Sequence, residues 1–316
     1  VTYPQGPPFC VQVELTEGCN LRCAFCGLGG IRGKANNLQF MCVETALRII
    51  SLLRLSGWYP RIEFAMHGEP SLNPNLLEIL RTFRRRLPPK FHLMMTSNGA
   101  GFVANPTQTI DGALRWLNVL ALEDYRGIHL VEKITTRYQG PHVPTCYPQS
   151  KQANPHRRRK PGEHDWVIIQ DIDEATQGTH AALNNHSGCG SPKNNRGDGR
   201  RCAKPFRELS IRWDGNVAIC CNDWRGYCKI GNVLSSTLEE LWQSPVMRAA
   251  RRKLYHGMRD FGPCHGCDAL SYRPGLLPDK HGKQILPQPT KEDCNAIQNA
   301  LAGHPYTAPV PCPWES

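Results

Sequence analysis

Three cysteines within eight residues constrain this chain more than any other feature: Cys19, Cys23 and Cys26, in the run C-N-L-R-C-A-F-C. Thiols so close together on one short stretch point to metal ligation. A thiolate-only set suits an iron–sulfur cluster or zinc. A structural zinc wants a fourth ligand, and His67 is available, but the glycines that follow (Gly27, Gly29, Gly30) fit an open cluster better. Three thiolates hold three irons of a four-iron cluster, and the fourth iron stays open to a small ligand. The whole chain has 15 cysteines in 316 residues, too few for a small disulfide scaffold and many for an ordinary intracellular enzyme. That usage points to a reducing compartment, the cytoplasm. No run of 18 apolar residues occurs, so no membrane-spanning helix and no membrane partner is expected.

The first half alternates two periodicities. Residues 10–16 alternate apolar and polar, as a strand does. Residues 41–55 carry a wide apolar stripe at helical spacing. Residues 61–66, 91–96, 116–122 and 166–172 read as further strands, and 75–87 and 124–138 as helices. Repeated strand–helix units imply parallel strands with right-handed crossovers. Ligands in such folds gather at the C-terminal ends of the strands, which is where the cysteine triplet falls. Residues 140–200 read as loop, with one helix near 175–185. Beyond them, 207–213 and 216–220 suit a hairpin turned by Asp214-Gly215. Helices are expected over 237–243, 246–256 and 290–301, the last capped by Thr290 with Asp293 and ended by Gly303. This divides the chain into 1–200, 201–273 and a Pro-rich extension, 274–316.

The triplet, with Phe25 before its last cysteine, resembles the C-x-x-x-C-x-x-C motif of the radical SAM superfamily. The superfamily's G-G-E-P stretch is matched by His67-Gly68-Glu69-Pro70, with His67 replacing the first glycine, and its T-N-G segment by Ser97-Asn98-Gly99. The resemblance implies an α/β fold, a partial (β/α)6 TIM-like barrel. It also implies that Phe25, Gly68, Glu69, Ser97 and Asn98 bind S-adenosylmethionine (SAM) beside a [4Fe-4S] cluster on Cys19, Cys23 and Cys26. Glu69 would pair with the ligand's ammonium. Reductive cleavage of SAM would yield a 5′-deoxyadenosyl radical that abstracts hydrogen from the substrate, with flavodoxin or ferredoxin as reductant.

From Cys202, twelve residues lead to Gly215 and four more to Cys220. This resembles the opening of the SPASM domain, a small α+β domain with a β-hairpin, and Cys264 and Cys267 match its later C-x-x-C. Arg273 and the sparse downstream cysteines suggest the shortened, one-cluster twitch version. The resemblance implies a second [4Fe-4S] cluster on Cys202, Cys220, Cys264 and Cys267, serving as electron acceptor. Cys221 is the main rival to Cys220, Cys189 and Cys228 are others, and zinc on the same sulfurs is the alternative metal. Glu17, Asp223 and Tyr227 are candidate catalytic residues by proximity to the motifs.

The formal charge is +11, with basic runs at 84–86, 156–160, 196–201 and 248–253. Such a balance suits an anionic substrate, with DNA or a nucleotide-linked group (a hypermodified base, for instance) first. A peptide comes second, because the first strand near residue 10 leaves no room in this chain for a peptide-recognition domain ahead of it. A non-catalytic two-cluster electron-transfer protein is a third reading, disfavoured by the retained Gly68-Glu69 and Ser97-Asn98.

Overall fold

A computed structural model of the chain describes residues 6–21, 26–30, 38–105, 107–124, 166–171, 187, 189, 199–269 and 286–302. Cys23 and Phe25, the helix expected over 175–185, the basic run 156–160 and Gly303 lie outside the described residues, as does the helix expected over 124–138 except for Asp124, which ends a strand.

The strands β1 (Cys10–Val13), β4 (Arg61–Phe64), β5 (Leu93–Ser97), β6 (Val119–Asp124) and β7 (Trp166–Asp171) pair in parallel in that order. A short antiparallel pair, β2 (Thr16–Glu17) with β3 (Gln39–Phe40), stands apart from them. On the other side of β1, β8 (Glu208–Ile211) pairs in parallel, Cys10 opposite Glu208 and Val13 opposite Ile211. β9 (Asn216–Ala218) and β10 (Lys229–Asn232) continue antiparallel, so one sheet runs β10-β9-β8-β1-β4-β5-β6-β7. The chain is thus a partial barrel of parallel strands followed by a small α+β unit whose hairpin grows from the same sheet.

The helices form where the apolar spacing is 3.6. In α1 (Val43–Ser56) the buried residues Ala46, Ile49, Ile50 and Leu53 fall on one stripe. Gly57 closes the helix with a φ of 67°, a left-handed conformation that costs glycine little. In α2 (Leu76–Arg86), Leu76, Ile79, Leu80 and Phe83 make the same pattern, and Phe83 meets Phe64 of β4 edge-on at 5.0 Å. Each buried side chain of this size contributes roughly 1.5–3 kcal/mol. Short helices α3 (Ala100–Ala104) and α4 (Ile110–Leu114), absent from the periodicity reading, follow β5. In the C-terminal part, α5 (Lys204–Arg207), α6 (Leu238–Trp242), α7 (Pro245–Tyr255) and α8 (Lys291–Leu301) pack around the hairpin and a second apolar cluster. Among the described residues no helix is long and apolar enough to cross a membrane.

Parts of two basic runs are held inside the fold, although Arg85 and Arg86 are exposed. Arg84 donates to the carbonyls of Trp116 and Phe91 and to the Asn118 side chain. Arg251 is buried, donates to the carbonyls of Pro205 and Trp242 at 2.7 Å each, and stacks on the Trp242 ring. Lys253 is buried against Asp260 at 2.8 Å, and Arg252 pairs with Asp293 at 3.0 Å. These charges hold helices in place, so less of the +11 faces a substrate than composition suggests.

Candidate active site

The chain leaves β1 through Leu15 to Gly18 and runs directly beside the loop after β4. Gly18 and Gly68 form a parallel bridge, and the Glu69 amide donates to the Gly18 carbonyl at 3.0 Å. A Cβ on Gly68 would lie 2.1 Å from the Thr16 carbonyl oxygen, so only glycine permits this approach. Cys19 therefore begins its loop within reach of Gly68-Glu69 because two backbones touch. Asn73, buried, donates to the carbonyls of Leu15 and Met41 and pins the same corner.

Glu69 is buried. Its Oε1 accepts from the Ser71 amide at 2.8 Å and the Ser97 hydroxyl at 2.5 Å, and its Oε2 accepts from the Asn98 amide at 2.6 Å. Burial pushes its carboxyl above the usual range, against the pull of the Ser71, Ser97 and Asn98 donors. The carboxylate thus joins the loops after β4 and β5. The Asn98 side chain points to the cysteine loop, donating to Cys19 Sγ at 3.4 Å and to Asn20 Oδ1 at 3.1 Å. The Leu21 amide donates to the same sulfur at 3.3 Å.

The second cysteine set is buried: Cys202, Cys220, Cys264 and Cys267 are each 6–7% exposed. Burial raises the Cys264 thiol, and the nearby Cys267 and Cys202 raise it further. Burial likewise raises Cys220, with Cys221 and Cys264 adding to it. Burial also raises the Cys202 thiol, against the pull of the Lys204 amide and the Arg259 guanidinium. Arg259 binds the Cys267 and Ala269 carbonyls at 2.8 and 2.9 Å. Cys221 is committed elsewhere: Lys204 Nζ lies 3.0 Å from its sulfur. Among the described residues no three His, Cys, Asp or Glu side chains are grouped as ligands of a single metal ion. Four buried thiols are a donor set that an iron–sulfur cluster accepts, and zinc accepts the same sulfurs.

A small cleft of about 30 Å3 lies where the loop after Cys220 meets the turn at Cys264. Its lining includes Cys189, Trp224, Arg225, Tyr227, Pro263 and His265. Cys19 and Cys26 pack against the Leu28–Cys189–Trp224 group on one side, while Pro263 and His265 flank Cys264 on the other. Of the sequence-derived acid–base candidates, Tyr227 lines this pocket with its hydroxyl accepting from Arg225 at 2.7 Å. Asp223 also borders it, but both carboxylate oxygens accept main-chain amides, of Tyr227 and Cys228, at 2.9 Å. Glu17 sits in a separate groove, where its carboxylate accepts from Trp213 Nε1 at 2.5 Å and pairs with Arg212 at 2.9 Å. Cys189, a rival ligand in the sequence reading, lines this cleft instead, whereas Trp224 and Arg225 were not among the expected site residues, although they directly follow the C-C-N-D run.

Two family models match the stretches that build this geometry. Residues 13–105 match the radical SAM superfamily, and residues 202–268 match SPASM, an iron–sulfur cluster-binding domain. The chain is a radical SAM enzyme with a C-terminal SPASM-type domain. Its cofactors are accordingly SAM, the [4Fe-4S] cluster of the radical SAM domain and further iron–sulfur in the SPASM domain, and it needs a reductant and a substrate. No curated protein matches the radical SAM enzyme by sequence. Among solved structures it is similar to BtrN in complex with AdoMet and 2-DOIA, at 17% identity and a TM-score of 0.63, over 84% of this chain and 95% of that one. BtrN in an open conformation matches at 16% identity and a TM-score of 0.55, over 84% and 94%. These likenesses show the fold.

Proposed function

We propose that the enzyme abstracts hydrogen from an anionic substrate, nucleotide-linked in the first instance, that approaches beside Trp224, Arg225 and Tyr227. When bound, SAM and its cluster supply the 5′-deoxyadenosyl radical. Cys19, Cys23 and Cys26 hold the first cluster in this reading. Gly68 brings the SAM loop against β1, and Glu69 with Ser97 and Asn98 keeps the two binding loops in register. Cys202, Cys220, Cys264 and Cys267 hold one auxiliary [4Fe-4S] cluster as electron acceptor, which makes the net reaction an oxidation.

The residues around the cleft support this reading: Trp224 offers a flat apolar wall, Arg225 a cation and Tyr227 a hydroxyl, which suit a planar, negatively charged group. BtrN, of comparable length, was solved with AdoMet and a second ligand together, which favours a small molecule here.

Anaerobic reconstitution is expected to load about eight irons per chain, and a count near four would remove the auxiliary cluster. Cys23→Ala is expected to abolish 5′-deoxyadenosine formation. Binding of nucleotides, single-stranded DNA and a peptide pool across a salt series then tests the substrate class. Affinity for nucleotides with a shallow salt slope is expected; affinity for the peptides alone would overturn the anionic reading.

A further inference from the structure

His67 stands where the resembled motif carries glycine, and its ring is completely buried. Its main chain belongs to the SAM loop: the His67 carbonyl accepts from the Gly18 amide at 3.4 Å, and Gly68-Glu69 follow. Its side chain belongs to the auxiliary half. Nε2 lies 2.7 Å from the Cys221 carbonyl oxygen, and since a carbonyl only accepts, Nε2 carries the proton. The ring meets Trp224 at 4.7 Å. Nδ1 faces Glu14 Oε1 at 2.8 Å, and the other Glu14 oxygen accepts from the Trp213 amide at 3.3 Å and lies 3.6 Å from Arg212 Nε. Burial alone would raise the Glu14 carboxyl, but the His67 ring and the Arg212 guanidinium hold it below the usual range. Met66, just before, has a φ of 135°, which a side chain adopts only where the surroundings over-determine it.

One residue therefore has its backbone in the loop that receives SAM and its ring clamped beside Cys220. We propose that His67 is a positioning residue that couples SAM binding at Gly68-Glu69 to the conformation of the auxiliary cysteine loop, residues 219–228. Any shift of the SAM loop moves the His67 ring, and with it the Cys221 carbonyl and the adjoining Cys220. Glycine at this position could make no such link. The inference rests on Cys220 as an auxiliary-cluster ligand.

The test is amide hydrogen exchange of the reconstituted full chain with and without SAM, read on peptides covering 219–228. In the wild type, SAM is expected to slow exchange there by at least about fivefold, the lower end of usual coupling between sites. His67→Gln keeps a donor for the Cys221 carbonyl and is expected to retain the effect; His67→Ala is expected to lose it while still binding SAM. No SAM effect on 219–228 in the wild type overturns the coupling without need of any variant. So does full protection in His67→Ala, or its loss in His67→Gln with SAM bound. An iron count near four in the wild type is a separate failure, that of the ligand assignment, and takes the inference with it.

Discussion

At the scale of single residues, Asn98 would serve the cluster from outside the ligand set if Cys19 ligates it as proposed. Its side-chain amide and the Leu21 main-chain amide both donate toward Cys19 Sγ, at 3.4 and 3.3 Å. Donors to a ligating sulfur disperse its negative charge and favour the reduced cluster. Asn98→Ala is therefore expected to lower the midpoint potential of the radical SAM cluster and to slow SAM cleavage by about tenfold. A redox titration followed by electron paramagnetic resonance reads the first effect, and an unchanged midpoint would deny Asn98 this role. Arg225 is a residue of a different kind, exposed at the pocket and joined to Tyr227. Arg225→Ala is expected to raise KM for an anionic substrate roughly tenfold, the loss of one charge-assisted hydrogen bond, with little change in kcat. A fall in kcat at constant KM would instead place Arg225 in the chemistry.

At the scale of elements, local signals account for the helices and the hairpin. The stripe of α1, the i, i+3, i+4 spacing of α2 and the capping box of α8 involve residues a few positions apart, so their physics is contained in a short window. Thr290 and Asp293 form the box as the sequence suggests, and Asp293 also pairs with Arg252 of α7, a contact between helices that no window contains. Thr290→Ala is expected to cost about 1 kcal/mol, seen as a fall in Tm of roughly 2–4 °C. Asp293→Ala is expected to cost more, since it loses the box and the bridge to α7; equal effects would mean that the bridge adds nothing. The helix stops at Leu301 with Ala302 as its cap residue. Elements with weak periodicity, α3 and α4, escaped the sequence reading because five residues are too few to display a stripe.

At the scale of the molecule, the C-terminal half depends on its thiols and shares its sheet with the barrel. β8 pairs with β1, and Cys202, Cys220 and Cys264 sit in an apolar cluster with Ile219, Leu254, Phe261 and Ile297. Chelating the iron is expected to open the 202–267 region to limited proteolysis while the helices packed on β4 and β5 stay protected. Equal resistance with and without iron would argue against a cluster on the four cysteines. Charge is also decided at this scale. Arg84, Arg251 and Lys253 look like surface charge in sequence and are structural pins in the fold. The sequence by itself was enough to point to the family: the spacing of Cys19, Cys23 and Cys26 and of Cys264 and Cys267, with Gly68-Glu69 and Ser97-Asn98, lies in neighbouring positions, and the family models match those stretches. Only the tertiary structure decided what joins the two halves. His67 and Cys221 are 154 positions apart, and no local pattern encodes a contact that exists only once β8 has docked on β1 and two buried loops have closed on each other.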